Sequence, residues 1–250
     1  MMAPMAALPG TGTDSRHAAG RRGAGGLRAP GAAQRSAVGA LARLGAVYLL
    51  LSLPAFLAPL PRSLAAGTLL AALQAAAMLL IVRCDAGREA VDWRLRGRDA
   101  GEALLIATAM VAALAAVSAL LNLLPESLGG VLRSGHRWRL EHAGEVPLAA
   151  AFVVAGAYRE ESYFRAYFVT TLQGAGAPAW LATLGSALLF GAGHLYQGWG
   201  AAAFAVLMGV VLVRLFRQRP SLHRVVLAHA LFNGLVLAAT LLPPGTLLQA

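Results

Sequence analysis

The sequence contains no lysine; all 21 of its basic residues are arginine. It has one cysteine, Cys84, which excludes an intrachain disulfide and any paired-cysteine metal site. Charge is scarce as well. Only 13% of the residues are charged, against roughly a quarter in an ordinary soluble domain. Acids number just 11, which leaves a formal net charge of +10. That excess does not form a basic stripe. Most of the arginines fall between long apolar runs, the pattern of positive-inside topology, and no nucleic-acid partner is expected.

What the chain has in abundance is apolar residues, 58% of the total. A helix rises about 1.5 Å per residue, so about 20 apolar residues cross a hydrocarbon layer. Lipid offers the backbone no hydrogen-bond partner, so such runs must be helical. Seven segments meet this description: Val38–Leu60, Ala65–Val82, Glu102–Leu124, Pro147–Gln173, Ala179–Tyr196, Gly200–Phe216 and Val225–Leu242. The expected fold is an all-α, polytopic membrane bundle of about seven to eight transmembrane helices. An additional half-buried helix around Leu128–Leu140 would supply the eighth and change the parity.

The rest of the chain reads as connections. Residues 1–37 are rich in Gly, Ala, Pro and Arg without hydrophobic period, which predicts a disordered tail without a signal peptide. Residues 38–146 supply the first membrane helices and their loops, 147–242 a second membrane block, and 243–250 a short C-terminal tail. The segment Arg83–Asp99 holds five arginines and four acids. Counting arginines at alternate ends places the N-terminus in the cytoplasm and the C-terminus outside. The expected location is thus an integral, multi-pass position in the cell membrane, with the lipid bilayer as partner.

Against this background a few polar residues stand out. Glu160 and Glu161 lie mid-span in Tyr158-Arg159-Glu160-Glu161-Ser162-Tyr163-Phe164-Arg165. An ionisable residue at the bilayer centre costs about 2.5–3.5 kcal/mol on insertion scales, so these must face protein or water. Glu161 and Arg165 are spaced i,i+4 in the favourable orientation for an ion pair. Glu160 points about 100° away and is free for another task, such as general-base chemistry. His194 and His229 each lie in a separate apolar span, and Asn233 shares a helix face with His229. The remaining histidines, His17, His136, His142 and His223, fall in loops, tail or span edges.

A Glu and two His can bind Zn²⁺, with His194, His229 and Glu160 as the ligand set, or can steer water without a metal. Asn233 can donate to the oxyanion formed when water attacks a carbonyl. No HExxH occurs, which excludes a zincin helix. A serine mechanism through Ser186 would leave both glutamates unexplained. A proton relay in a transporter is the stronger rival, but matching broken helices in two halves are not visible.

The three segments, in this order, resemble the motifs of the CAAX-processing and bacteriocin-processing (CPBP) family, which includes the type II CAAX prenyl endopeptidases. Glu160-Glu161-Ser162-Tyr163-Phe164-Arg165 looks like the family's EExxxR, Phe190-Gly191-Ala192-Gly193-His194 like FxxxH, and His229-Ala230-Leu231-Phe232-Asn233 like HxxxN. The resemblance covers about 147–242, which becomes the expected catalytic core. It implies an intramembrane endopeptidase that hydrolyses a membrane-associated peptide or protein through glutamate-activated water, CAAX-type processing included. In that scheme Glu160 activates the water, Glu161 and Arg165 position it, His194 holds the water or a metal, and His229 with Asn233 forms the oxyanion side. A non-catalytic scaffold or self-immunity protein of the same fold is the second expectation, and the transporter the third. Two positions depart from the family pattern: Ala166 stands where glycine is common, and Arg159 places a cation beside the proposed base. The expected spans also leave Glu160 mid-membrane, His194 nearer the outer end and His229 nearer the inner end.

Overall fold

A computed structural model describes residues 37–57, 63–84, 89–133, 139–140 and 142–242. The expected tails lie outside the described residues, apart from the helical Ala37. Within the described residues every regular element is helical, and a lone bridge, Asp92 to Ser221, is the only strand-like pairing.

The helices follow the apolar runs. We label them α1 (Ala37–Leu57), α2 (Leu64–Cys84), α3 (Gly97–Asn122), α4 (Glu126–Arg133), α5 (Val146–Glu161, continued below), α6 (Ala179–Ala192), α7 (Trp199–Gln218) and α8 (Leu222–Ala239). Seven of the eight coincide with the seven expected spans. The short α4 falls where the half-buried helix was expected. By length and composition α2, α3, α7 and α8 suffice to cross a membrane, while α1 and α6 contribute shorter apolar stretches. Their outer faces agree with that role: Leu69, Leu73 and Leu80 on α2, and Leu104 and Leu105 on α3, are all more than half exposed. Such leucine rows suit lipid and not water, and the chain is an integral membrane protein.

Helix ends differ from the sequence expectation where capping decides them. α3 begins five residues early because the Asp99 carboxylate accepts the Arg96 backbone N–H at 2.9 Å. α8 begins three residues early because the Ser221 hydroxyl accepts the Arg224 N–H at 3.3 Å. α6 stops at Ala192, short of the expected Tyr196, and the chain turns through Leu195–Gln197 to Gly198. Gly198 has φ +103°, a left-handed conformation that lets the chain reverse directly into α7.

α2 lies parallel along α5, since Gly67 faces Phe152 and Gln74 reaches Arg159, and α3 lies parallel along α8, their first turns joined by Glu102 and Arg224; α6 runs antiparallel to α7, and α5 also packs against α8. Small residues set the closest approaches. A Cβ on Gly209 of α7 would stand 2.9 Å from the Ala187 Cα of α6. One on Gly191 would meet the Ala202 carbonyl at 2.8 Å. One end of the bundle is clamped by charge. Arg219 pairs with Asp99 at 2.7 Å and with Glu102 at 2.8 Å, and Arg224 pairs with Glu102 at 3.0 Å. Beside them the Asp92 N–H donates to the Pro220 carbonyl at 2.7 Å. The segment read as a charged loop is thus stitched to the α7–α8 turn.

The fold also resolves the apparent mismatch in depth: Glu160, His194 and His229 line one cavity, with His229 Nε2 3.8 Å from Glu160 Oε2. Two substitutions test the packing. Gly209→Val should lower stability by about 1–3 kcal/mol through overpacking against Ala187. Gly101→Ala, where an added Cβ meets nothing within 4 Å, should raise it by about 0.5–1 kcal/mol. Thermal unfolding of the detergent-solubilised protein reads both signs.

Candidate functional site

α5 changes character at the paired glutamates. It is α-helical to Glu161, π-helical over Ser162–Val169 and α-helical again over Thr170–Gly174. All eight π-helical residues are buried. A π turn bonds i to i+5 and recurs at functional sites, because it widens the helix and re-aims its side chains. Hydroxyl groups support the carbonyls of the widened turns. Ser186 donates to the Phe164 carbonyl at 2.8 Å, and Thr170 donates to the Ala166 carbonyl. Ser186 is therefore committed to helix packing.

Glu161 and Arg165 form the expected pair, with Nε 3.0 Å from Oε2 and neither side chain exposed at all. The guanidinium carbon of Arg165 lies 4.5 Å from the Phe190 ring centroid, a cation–π contact. The second oxygen of Glu161 meets His229 Nδ1 at 2.7 Å. A carboxylate only accepts, so the His229 proton resides on Nδ1. Its Nε2 then turns toward Glu160, whose Oε2 is 3.8 Å away. His194 is fixed in the same sense, since its Nδ1 donates to the Phe190 carbonyl at 2.8 Å. Both imidazoles thus present Nε2 as the unoccupied nitrogen, held by acceptors behind them, the arrangement that orients a histidine for work at its other edge. Phe190 lies between the two, its ring centroid 4.6 Å from that of His194 and 5.8 Å from that of His229.

Glu160 has a different environment. Arg159 pairs with its Oε1 through Nη2. The other arm of that guanidinium donates to Gln74 Oε1 at 3.2 Å, and Gln74 in turn donates to the Leu51 carbonyl at 2.8 Å. The cation that departs from the family pattern is therefore a direct partner of the proposed base, tied through α2 to α1.

These residues open onto a cavity of ≈ 330 Å³. Arg159, Glu160, His194, His229 and Asn233 line it, whereas Glu161 and Arg165 stand behind its wall. Most of the remaining lining is apolar, from Met110, Leu114 and Val117 of α3 to Phe232 of α8. All six residues singled out from the sequence thus belong to one locality, in two tiers. Four face the cavity, and two are sealed beneath. Among the described residues no three of His, Cys, Asp and Glu gather closely enough to hold a metal ion. In this arrangement His194, His229 and Glu160 share a wall without forming a ligand cage.

Two partners were missed in the sequence. Gln74 is a polar side chain within an apolar run, and that oddity was the available signal. His223, expected only as a span-edge residue, has its Nδ1 2.8 Å from the Tyr158 hydroxyl and its Nε2 3.2 Å from the Trp93 carbonyl. It ties α8 to α5 and to the 89–96 segment. His17 and His136 lie outside the described residues, and His142 is exposed.

Residues 142–235 match the family model described as Type II CAAX prenyl endopeptidase Rce1-like. The matched stretch contains all six candidate residues. No curated protein and no solved structure matches the chain.

Removing either member of the sealed pair strands its partner's charge. Glu161→Gln and Arg165→Met should each destabilise by about 3–5 kcal/mol, and the double variant by less than their sum. A double-mutant cycle on thermal unfolding measures the difference.

Proposed function

We propose that this protein is an intramembrane endopeptidase that hydrolyses a peptide bond of a membrane-associated peptide or protein. CAAX-type processing falls within that class. The observation that carries the reading is the division of the glutamates. Glu161 is consumed by Arg165 and His229, while Glu160 keeps Oε2 toward the cavity and His229. A merely structural network has no use for a second carboxylate facing a cavity. The match of residues 142–235 to a protease family supports the same conclusion. The chain would thread the membrane several times with its N-terminus in the cytoplasm, since the Arg-rich segments then share one side.

The chemistry needs only these side chains. Water sits between Glu160 and His194 Nε2. Glu160 takes one proton from it as the oxygen bonds to the scissile carbonyl carbon, and the carbonyl π pair moves onto its oxygen. The Asn233 amide donates to that oxyanion, one helical turn from His229, which Glu161 holds in place. Collapse breaks the C–N bond, and the leaving nitrogen takes the proton back from Glu160. The products are a carboxyl terminus and an amine. Arg165 never touches substrate. It pairs with Glu161, and Glu161 keeps His229 oriented.

His194, His229 and Glu160 would be the residues to hold Zn²⁺ if they drew together, the ion then supplying Lewis acidity, and dialysis against a chelator separates the two schemes. Retained cleavage supports the metal-free scheme, whereas loss restored by Zn²⁺ assigns the ion. The principal test is cleavage of a quenched peptide library by protein in liposomes. Glu160→Gln and His194→Ala should each lower the rate by about 10²–10⁴-fold with unfolding temperatures close to wild type. Folded variants that cleave as wild type does would refute the assignment. A non-catalytic scaffold would instead reveal itself by unfolding when Glu160 is altered.

A further inference from the structure

Arg159 presents an unresolved charge balance. Among the described residues it is the one guanidinium lining the cavity, with its side chain about one-third exposed (32%). Its partner Glu160 is the group asked to accept a proton. A guanidinium paired to that carboxylate occupies one of its oxygens unless the cation has another partner to take. The surroundings suggest one. Guanidinium carries five N–H donors in a planar fork, and the contacts to Gln74 and Glu160 occupy only two of its nitrogens. Gln74, anchored on the Leu51 carbonyl, fixes the arm that does not face Glu160. The head is therefore pre-positioned, while its second arm can exchange one carboxylate for another.

We infer that Arg159 is the binding site for an anionic group on the substrate, namely the C-terminal carboxylate of a bound peptide. The chemistry of the cavity selects that class. Its other lining residues are mainly apolar, and among the described residues they include no second Arg, so a peptide with an apolar tail and a single terminal negative charge matches it. Guanidinium recognises carboxylate in bidentate fashion, which favours this group over a neutral amide terminus. When the terminal carboxylate takes the fork, Glu160 Oε1 is freed from its pairing with Arg159. The base would then be fully available only when a substrate with a free C-terminus is seated. The identity of the ligand rests on the peptidase reading, but its test need not.

The test is retention by the full chain in detergent of two pools of apolar octapeptides, identical except for a free-acid or amidated C-terminus, read by mass spectrometry. Glu160→Gln is the host protein, so binding is measured with cleavage suppressed. The free-acid pool should be retained at least about tenfold better than the amide pool. Adding Arg159→Gln should bring the ratio to about one, and Arg159→Lys should preserve part of it. Equal retention of the two pools, including retention of neither, overturns the proposal, as does an acid preference that survives Arg159→Gln in a folded variant. The outcomes also separate this inference from the activity. Acid preference without cleavage by wild type would leave the carboxylate site standing and remove the peptidase. Cleavage without acid preference would do the reverse.

Discussion

The fully sealed ion pair of Glu161 and Arg165 is the constraint around which this molecule is arranged. Neither side chain reaches solvent, and a charge in such a place is tolerated only when matched. The consequences radiate outward. Arg165 lies against Phe190, which brings α6 to α5 and leaves the Phe190 carbonyl to hold His194. The other oxygen of Glu161 holds His229, and with it α8. One buried carboxylate thereby fixes the orientation of two histidines on two further helices, one directly and one through an aromatic ring. Glu160, one residue earlier, inherits a site already assembled.

Much of this was legible in the sequence because lipid makes polar residues expensive. The mid-span charges at 160, 161 and 165 could be recognised as a site without any structure, and their i,i+4 spacing paired the right two. The helices themselves followed from apolar length alone. Three things could not be read. The ends of α3 and α8 depend on single capping contacts from Asp99 and Ser221. The shared cavity of Glu160, His194 and His229 depends on how their helices pack, which apolar length alone does not state. The partner of Arg159 depends on which face of α2 turns inward, and the run around Gln74 is apolar on every side, so its periodicity holds no directional information.

The charged residues outside the membrane blocks tell a complementary story. Arg219 and Arg224 read as topology signals, since they lie in the Arg-rich segment after α7. In the fold they also gather Asp99 and Glu102 at the start of α3. The arginines that read as topology signals thus also close one end of the bundle. The same region secures Asp92. Burial pushes its carboxyl up, but the Arg96 side chain, the Arg94 backbone N–H and the two positive charges outweigh this and hold it below the ordinary value.

The π-helical stretch of α5 has a bearing on how such helices diversify. Relative to a regular helix, a π turn accommodates an extra residue without breaking the rod. The faces before and after it are therefore out of phase. Residues up to Glu161 obey one angular register, and those beyond Val169 obey another. The cavity-facing half of α5 and the half that packs near the α5–α6 turn are mechanically continuous yet angularly independent. Deleting one residue inside Ser162–Val169 would leave each half's composition intact and rotate one against the other by roughly 100°. A helix of this kind can re-aim its cavity-facing side chains by changing length at one point, with no change to the side chains themselves.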